Sequence, residues 1–288
     1  MKVAFLGLGV MGFPMAGHLA EKGGHAVTVY NRSTAKADTW TKRYGGRSAA
    51  TPRAAAEGQD VVFCCVGNDN DLREVTTGPE GAFAGMGRDT IFVDHTTASA
   101  AVARELFQAA QKGGFHFVDA PVSGGQAGAE NGRLTVMCGG ELAAYDRAEP
   151  VIAAYAQKCA RLGEAGAGQL TKMVNQICIA GVVQGLAEAF HFAEKAGLDV
   201  GAVVDVISKG AAQSWQMENR HKTMAEGKFD FGFAVNWMRK DLNICLDESR
   251  RNGATLPMTA LVDQFYGDVQ LMGGARWDTS SLIARLRR

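Results

Sequence analysis

From the N-terminus to about residue 163 the chain alternates short apolar runs with amphipathic stretches. Lys2–Leu8, Ala26–Tyr30, Asp60–Val66, Thr90–Asp94, Phe115–Asp119 and Thr135–Cys138 have the length and apolar character of strands. Between them, Met11–Lys22, Thr34–Tyr44 and Ala98–Lys112 carry helical periodicity. Strands that alternate with helices predict parallel βαβ units. The run VVFCCV lacks polar alternation, as expected of a strand covered on both faces. Beyond about residue 164 the strand signals stop. Gly168–Ala196 holds no proline and no strong turn signal, which predicts one helix of roughly 25–30 residues, some 40 Å long. Val200–Ser208, Ala234–Asn252 and Leu256–Leu271 extend the helical pattern, with Asp199 and Pro257 as start signals. The expectation is an α/β domain over residues 1–163 and an all-α domain over 164–288, joined by a long helix.

Composition narrows the function classes. The 288 residues balance 30 Lys+Arg against 30 Asp+Glu, so the basic excess usual in a nucleic-acid binder is missing. An apolar content of 47% is enough to bury a sizeable core and excludes a disordered chain. No run of 18 or more apolar residues occurs, so no membrane span is expected. The apolar stretch Val3–Val10 leads straight into a loop motif and does not read as a signal peptide. Six cysteines form no CxxC pair, and six histidines show no paired ligand spacing. A reduced, cytoplasmic protein without metal is therefore expected. The 36 glycines remain to be explained, either by flexibility or by backbone that approaches something closely.

Six residues answer part of that question. Gly7-Leu8-Gly9-Val10-Met11-Gly12 reads GxGxxG, directly after the first predicted strand and at the opening of a helix. In that context Gly7 permits the tight turn, Gly9 lets backbone reach a pyrophosphate, and Gly12 lets helix and strand pack closely. The N–H groups at the helix start then hold the phosphates of a dinucleotide. At the end of the second strand, where an acidic residue would receive the ribose hydroxyls of NAD, the chain has Asn31-Arg32-Ser33. No carboxylate there repels a 2′-phosphate, and Arg32 offers a cation. NADP(H) is favoured, with NAD(H) possible.

Four segments carry a wider resemblance: GLGVMGFPMAGHL (Gly7–Leu19), DAPVSGGQAGAENGRLTVMCGG (Asp119–Gly140), GAGQLTKMVNQ (Gly166–Gln176) and RKDL (Arg239–Leu242). In order and spacing the chain resembles the β-hydroxyacid dehydrogenases, a family that includes 3-hydroxyisobutyrate dehydrogenase, tartronate semialdehyde reductase and glyoxylate/succinic semialdehyde reductases. The resemblance implies a Rossmann N-terminal domain, a helical C-terminal domain and an active site in the cleft between them. It implies that Ser123, Gly124 and Gly125 bind a substrate carboxylate, that Lys172 is the catalytic lysine, that Thr97 lines the nicotinamide pocket, and that Lys240 contacts the cofactor. Read without the family, Ser123-Gly124-Gly125 follows a strand end, where ligands bind in open α/β sheets. Lys172, flanked by Leu170, Met173 and Val174, would more often be a snorkelling side chain. The same apolar setting also suits an amine that exchanges protons near neutral pH.

Asn175 and Gln176 stand three and four residues beyond Lys172, within reach of its helix face. Members with 3-hydroxyisobutyrate activity carry Asn at both positions, whereas this chain reads Asn-Gln, as tartronate semialdehyde reductases do. Val66 and Gly67 replace a Leu-Pro pair found in many relatives, at a point where backbone meets the nicotinamide ribose. Trp215, in Gly210–Arg220, is expected either to wall the substrate pocket, with Asn219 or Arg220 reading a polar tail, or to pack in a helical core. The expected activity is hydride transfer between the cofactor and a small carboxylate-bearing aldehyde or hydroxy acid, with Lys172 as general acid/base. An NAD-dependent 3-hydroxyisobutyrate dehydrogenase and a non-catalytic NADPH-binding module are the alternatives. A homodimer or homotetramer is expected from the family and from the apolar helices. A 6-phosphogluconate dehydrogenase would need a far larger helical domain.

Overall fold

A computed structural model describes residues 1–287. The chain forms two compact units, Met1–Lys172 and Met173–Arg288. In chain order the first contains β1 (Lys2–Leu6), α1 (Gly12–Glu21), β2 (Ala26–Tyr30), α2 (Thr34–Tyr44), β3 (Arg47–Ser48), α3 (Pro52–Ala56), β4 (Val61–Cys64) and α4 (Asp69–Thr77). It continues with β5 (Ile91–Asp94), α5 (Ala100–Gly113), β6 (His116–Asp119), β7 (Val122–Ser123), α6 (Gly125–Asn131), β8 (Leu134–Gly140), α7 (Leu142–Ile152) and β9 (Ala156–Gly163).

The sheet runs in the order β3-β2-β1-β4-β5-β6-β8-β7, with β9 paired to β8. Strands β1 to β6 are parallel. The order reverses between β1 and β4, the kind of switch point at which open α/β sheets bind ligands. Alternation along β1 shows why its sequence is apolar throughout. Val3 and Phe5 pack into one core, Ala4 and Leu6 into another on the opposite face. Val61 and Phe63 of β4 likewise oppose Val62 and Cys64. The all-parallel expectation fails at β8, which is antiparallel to both β6 and β7. The segment between Asp119 and Leu134 is taken up by β7 and a short helix, so the chain returns antiparallel instead of crossing over.

Helix α8 (Ala167–Lys195) begins in the first unit and continues into the second. The Asp119 carboxylate binds the start of this helix within the first unit. Oδ1 accepts from Gly166 N at 2.7 Å and Oδ2 from Gln169 N at 2.9 Å. The remaining helices are α9 (Val200–Ile207), α10 (Trp215–Glu226), α11 (Val235–Asn252), α12 (Pro257–Leu271) and α13 (Leu282–Leu286). By length and composition alone α8 could cross a membrane, with a mean hydropathy of 1.3. One apolar face packs inside the second unit: Ala180, Val183, Ala187 and Phe190 recur at helical spacing and bury against Met238, Leu242, Val262 and Tyr266. Asp199 caps α9 through a 2.7 Å bond from Ala202 N, and Pro257 opens α12.

Asp278 organises the second unit. Its Oδ1 accepts from Ser280 N at 3.1 Å, Ser280 Oγ at 2.6 Å and Arg220 Nε at 3.2 Å, and its Oδ2 accepts from Phe233 N at 2.9 Å. Breaking a buried charge pair from one side leaves its partners uncompensated. Asp278→Ala is expected to destabilise the protein by about 3–5 kcal/mol in urea unfolding. A loss below about 1 kcal/mol, the range of a surface ion pair, would show that the carboxylate is not the organising group.

Candidate active site

At the end of β1 the chain turns through Gly7 at φ +96°, a conformation that favours glycine. A Cβ on Gly7 would lie 2.2 Å from Cys65 O, and one on Gly12 would lie 2.0 Å from Gly7 O. A Cβ on Gly9 would meet nothing within 4 Å. The outer glycines thus seal the loop against the sheet, while the middle one faces open space. Val10 is exposed, Met11 is half-buried at the N-cap of α1, and neither caps the helix with a side chain. The orphan amides of a helix start are suited to phosphate, so these residues fit a dinucleotide.

Asn31 ties this loop to the end of β2. Its Oδ1 accepts from Leu8 N at 2.8 Å, and its Nδ2 donates to Ser33 O at 3.0 Å. Arg32 is 83% exposed and pairs at 3.7 Å with Asp71, a contact that solvent weakens. Ser33 is the N-cap of α2 but makes no capping bond with its hydroxyl. Asn31 is therefore a brace for the loop, and Arg32 and Ser33 are the outward-facing pair.

The ends of β4 and β5 form the next layer. Val66 N donates to Thr96 Oγ1 at 3.0 Å, and Gly67 precedes Asn68, the N-cap of α4. Thr97 follows directly on the buried trio Asp94, His95 and Thr96. Asp94 Oδ1 accepts from Thr96 N at 2.9 Å, whereas Oδ2 is buried with no hydrogen-bond partner among the described residues. Burial pushes the Asp94 carboxyl up to about 7 against the opposing pull of the Thr96 bonds, and neighbouring Asp119 adds to the rise. His95 is driven down to about 4 by burial and is neutral. Its Nδ1 lies 2.6 Å from Ala120 O and its Nε2 2.8 Å from Tyr155 Oη. The carbonyl only accepts, so Nδ1 carries the proton and Nε2 receives the tyrosine hydroxyl.

Asp119 ends β6, and beyond it β7 delivers Ser123 to a turn in which Gly124 and Gly125 have φ of +126° and +61°. Space beside Gly125 is open. The same Asp119 holds the first turn of α8, and burial lifts its carboxyl to about 6 against the pull of backbone donors. Gln169 in that turn accepts from Ala98 N at 3.1 Å and donates to Thr96 O at 2.7 Å. One turn on stands Lys172, only 7% exposed. Within the first unit a polar framework ties the end of β6 and the loop after β5 to the start of α8, the helix that carries Lys172. Asp94, His95, Asp119 and Gln169 make that framework, and sequence reasoning assigned none of them a role. The signal was present as polar residues inside the apolar segments VDHTT, HFVDA and GAGQL.

In the second unit Gln176 is buried, donating from Nε2 to Asp241 Oδ2 at 2.6 Å and accepting from Asn175 Nδ2 at 2.8 Å. Lys240 Nζ lies 3.1 Å from Asp241 Oδ1 and 5.8 Å from the ring centre of Trp237. Gln176 is thus linked through Asp241 to Lys240 and braces that lysine. Trp215 is 52% exposed at the start of α10, which removes the core-packing reading. Arg220 lies 5.0 Å from the ring centres of both Trp215 and Phe231 and pairs with Asp278, and Asn219 donates to Trp215 O. Both are engaged within their own unit. Among the described residues no group of His, Cys, Asp or Glu is arranged to hold a metal ion.

Two family profiles match. Residues 2–163 fit the NAD binding domain of 6-phosphogluconate dehydrogenase, and residues 166–286 the NAD-binding region of NADP-dependent 3-hydroxyisobutyrate dehydrogenase. An uncharacterized oxidoreductase of Shewanella frigidimarina is 67% identical, covering 100% of this chain and 98% of its own length. A probable mitochondrial 3-hydroxyisobutyrate dehydrogenase-like protein of Arabidopsis thaliana is 40% identical over 100% of this chain and 85% of its own. A Mycobacterium tuberculosis 3-hydroxyisobutyrate dehydrogenase solved with L-serine is similar in structure, with a TM-score of 0.90 and 32% identity over 100% of this chain and 99% of that one.

The buried Asp94 has a consequence for pH. Its folded pKa of about 7 lies above the ordinary aspartate value of 3.8, so the native state keeps the proton longer than the unfolded chain. Its stabilising contribution is full below about pH 4 and is lost as pH rises toward 7, at up to about 1.4 kcal/mol per pH unit. Asp94→Asn removes this titration. Urea unfolding across pH 4.5–7.5 should therefore give a flatter stability profile for the variant than for the wild type. Parallel profiles would show that Asp94 does not titrate in this range.

Proposed function

This chain belongs to the β-hydroxyacid dehydrogenase family, and from that premise we propose that it uses NADP(H) to interconvert a short 3-hydroxy acid and the corresponding aldehyde acid. It is an NAD(P)-dependent oxidoreductase. The observation that carries the finer reading is the burial of Lys172 on a helix whose first turn is bound by Asp119, just before the strand that delivers Ser123. A lysine at an ordinary snorkelling position would keep its head in water.

In this reading the glycine loop holds the pyrophosphate, and Arg32 and Ser33 receive the 2′-phosphate at the end of β2. The missing carboxylate there, the exposure of Arg32 and the uncommitted capping position of Ser33 support NADP(H). The Ser123 hydroxyl and the amides of Gly124 and Gly125 hold the substrate carboxylate. Lys172 gives a proton to the carbonyl oxygen during reduction and takes it back during oxidation. The nicotinamide supplies or accepts the hydride. Holding the lysine and the substrate carboxylate in place lowers the entropy lost in reaching the transition state. The M. tuberculosis relative was solved with L-serine, itself a small 3-hydroxy acid with a carboxylate, which supports this substrate class. Exposed Phe192, Val206, Leu261 and Leu271 support self-association as a homodimer or homotetramer.

The test is a panel of three- and four-carbon aldehyde acids and 3-hydroxy acids assayed with NADPH and NADH. We expect kcat/KM with NADPH to exceed that with NADH by at least about tenfold, the scale of one charge-assisted phosphate contact. Lys172→Ala should lower kcat by about 10²–10⁴ while cofactor Kd is unchanged. Equal use of NADH would contradict the cofactor assignment, and undiminished turnover in the variant would contradict the role of Lys172.

A further inference from the structure

Two cysteines outside this site lie close together. Cys138 Sγ on β8 and Cys159 Sγ on β9 are 3.6 Å apart. The strands are parallel, with Val136 opposite Cys159, so the two thiols meet diagonally across the pair. Cys138 is fully buried and Cys159 only half-buried. Cys159 also receives a hydrogen bond from Tyr145 of α7, and Lys158 stands beside it, while Glu149 opposes them. The hydrogen bond with Cys138, followed by that from Tyr145, outweighs burial and holds the Cys159 thiol below its usual range, whereas Cys138 is pushed up. The partly buried Cys159 is thus the sulfur that favours the thiolate, and the buried Cys138 lies next to it.

We propose that Cys138 and Cys159 are a reversible thiol–disulfide pair that responds to peroxide. The Cys159 thiolate attacks one peroxide oxygen, breaking the O–O bond and giving a sulfenic acid and hydroxide. The Cys138 sulfur then attacks the sulfenic sulfur. Its proton leaves with the displaced hydroxyl as water, and the S–S bond closes. Two thiols lose two electrons and one peroxide gains them.

Closing the bond brings the sulfurs from 3.6 Å to about 2.0 Å and draws β8 toward β9. The ladder between these strands is already irregular between Cys138 and Gly139. A Cβ on Gly139 would lie 2.7 Å from Asp119 Oδ1 and from Gly168 N, so this stretch of β8 is pressed against the seat of α8. A shift at Cys138 therefore reaches the bonds that hold the helix start. The link to activity rests on the role assigned to Lys172, but the thiol chemistry does not.

The full-length protein is treated with hydrogen peroxide, alkylated, digested and mapped by mass spectrometry. Two of the six thiols should be lost, and the Cys138 and Cys159 peptides should join in one species lighter by two hydrogens and split by dithiothreitol. Cys159→Ser should abolish the species. In oxidised wild type, amide exchange at Gly166 and Gln169 should quicken by at least about tenfold. Oxidation confined to exposed Cys178, or stopping at a Cys159 sulfinic acid, would overturn the pair. A cross-link that leaves the exchange unchanged would overturn its coupling to α8. Neither readout uses a substrate, so both stand apart from the outcome of the hydroxy acid assays.

Discussion

A single buried carboxylate sets the position of the reacting groups. Asp119 sits at the C-terminal end of β6 and accepts the backbone amides of Gly166 and Gln169, orphan donors at the start of α8. Desolvation works against this arrangement, as the rise of its carboxyl to about 6 shows. Near neutral pH the ionised form still prevails. Hydrogen bonds to a charged acceptor, each about 1.5–3 kcal/mol, and the positive end of a long helix offset part of the cost of burying the charge. Gly139 completes the joint, because any side chain there would occupy the space where the carboxylate meets the helix.

Other features follow from that joint. With the first turn of α8 held, Gln169 reaches the loop after β5 and satisfies Ala98 N and Thr96 O. That loop in turn receives Val66 N through Thr96 Oγ1, so the segments after β4 and β5 are joined through a side chain. Lys172 lies one turn farther along the same helix and is buried. The glycine loop is built by different means. It depends on two close backbone approaches, at Gly7 and Gly12, and on one brace, Asn31. Losing that brace would loosen cofactor binding without moving Lys172.

Much of this was legible in the sequence where geometry forces residue identity. Gly7 and Gly12 admit no Cβ, so the loop could be read directly, and the fully buried strands could be read from their unbroken apolar runs. The parallel alternation failed at β8, because a short helix between strands resembles a crossover in sequence while leaving the chain to return antiparallel. The polar framework was hidden for another reason. Asp119, Gln169 and Asp94 each look like a single polar residue in an apolar stretch, and the partners of Asp119 and Gln169 are backbone groups 47 to 73 positions away. Gln176 shows the same effect. Its amide donates to Asp241 on α11, a partner that sequence spacing does not reveal. For Arg220, too, only tertiary structure reveals its partners, Asp278 and two aromatic rings.

The central claim is that Asp119 positions Lys172 for proton transfer without taking part in cofactor binding. The direct measurement is steady-state kinetics of Asp119→Asn alongside cofactor titration, with circular dichroism to establish that the variant is folded. Asparagine keeps one acceptor but loses the charge and turns an N–H toward a donor, so α8 should loosen at its start. The account predicts a fall in kcat of at least about tenfold, equivalent to about 1.4 kcal/mol, with KM and cofactor Kd nearly unchanged. A folded variant with wild-type kcat would contradict it.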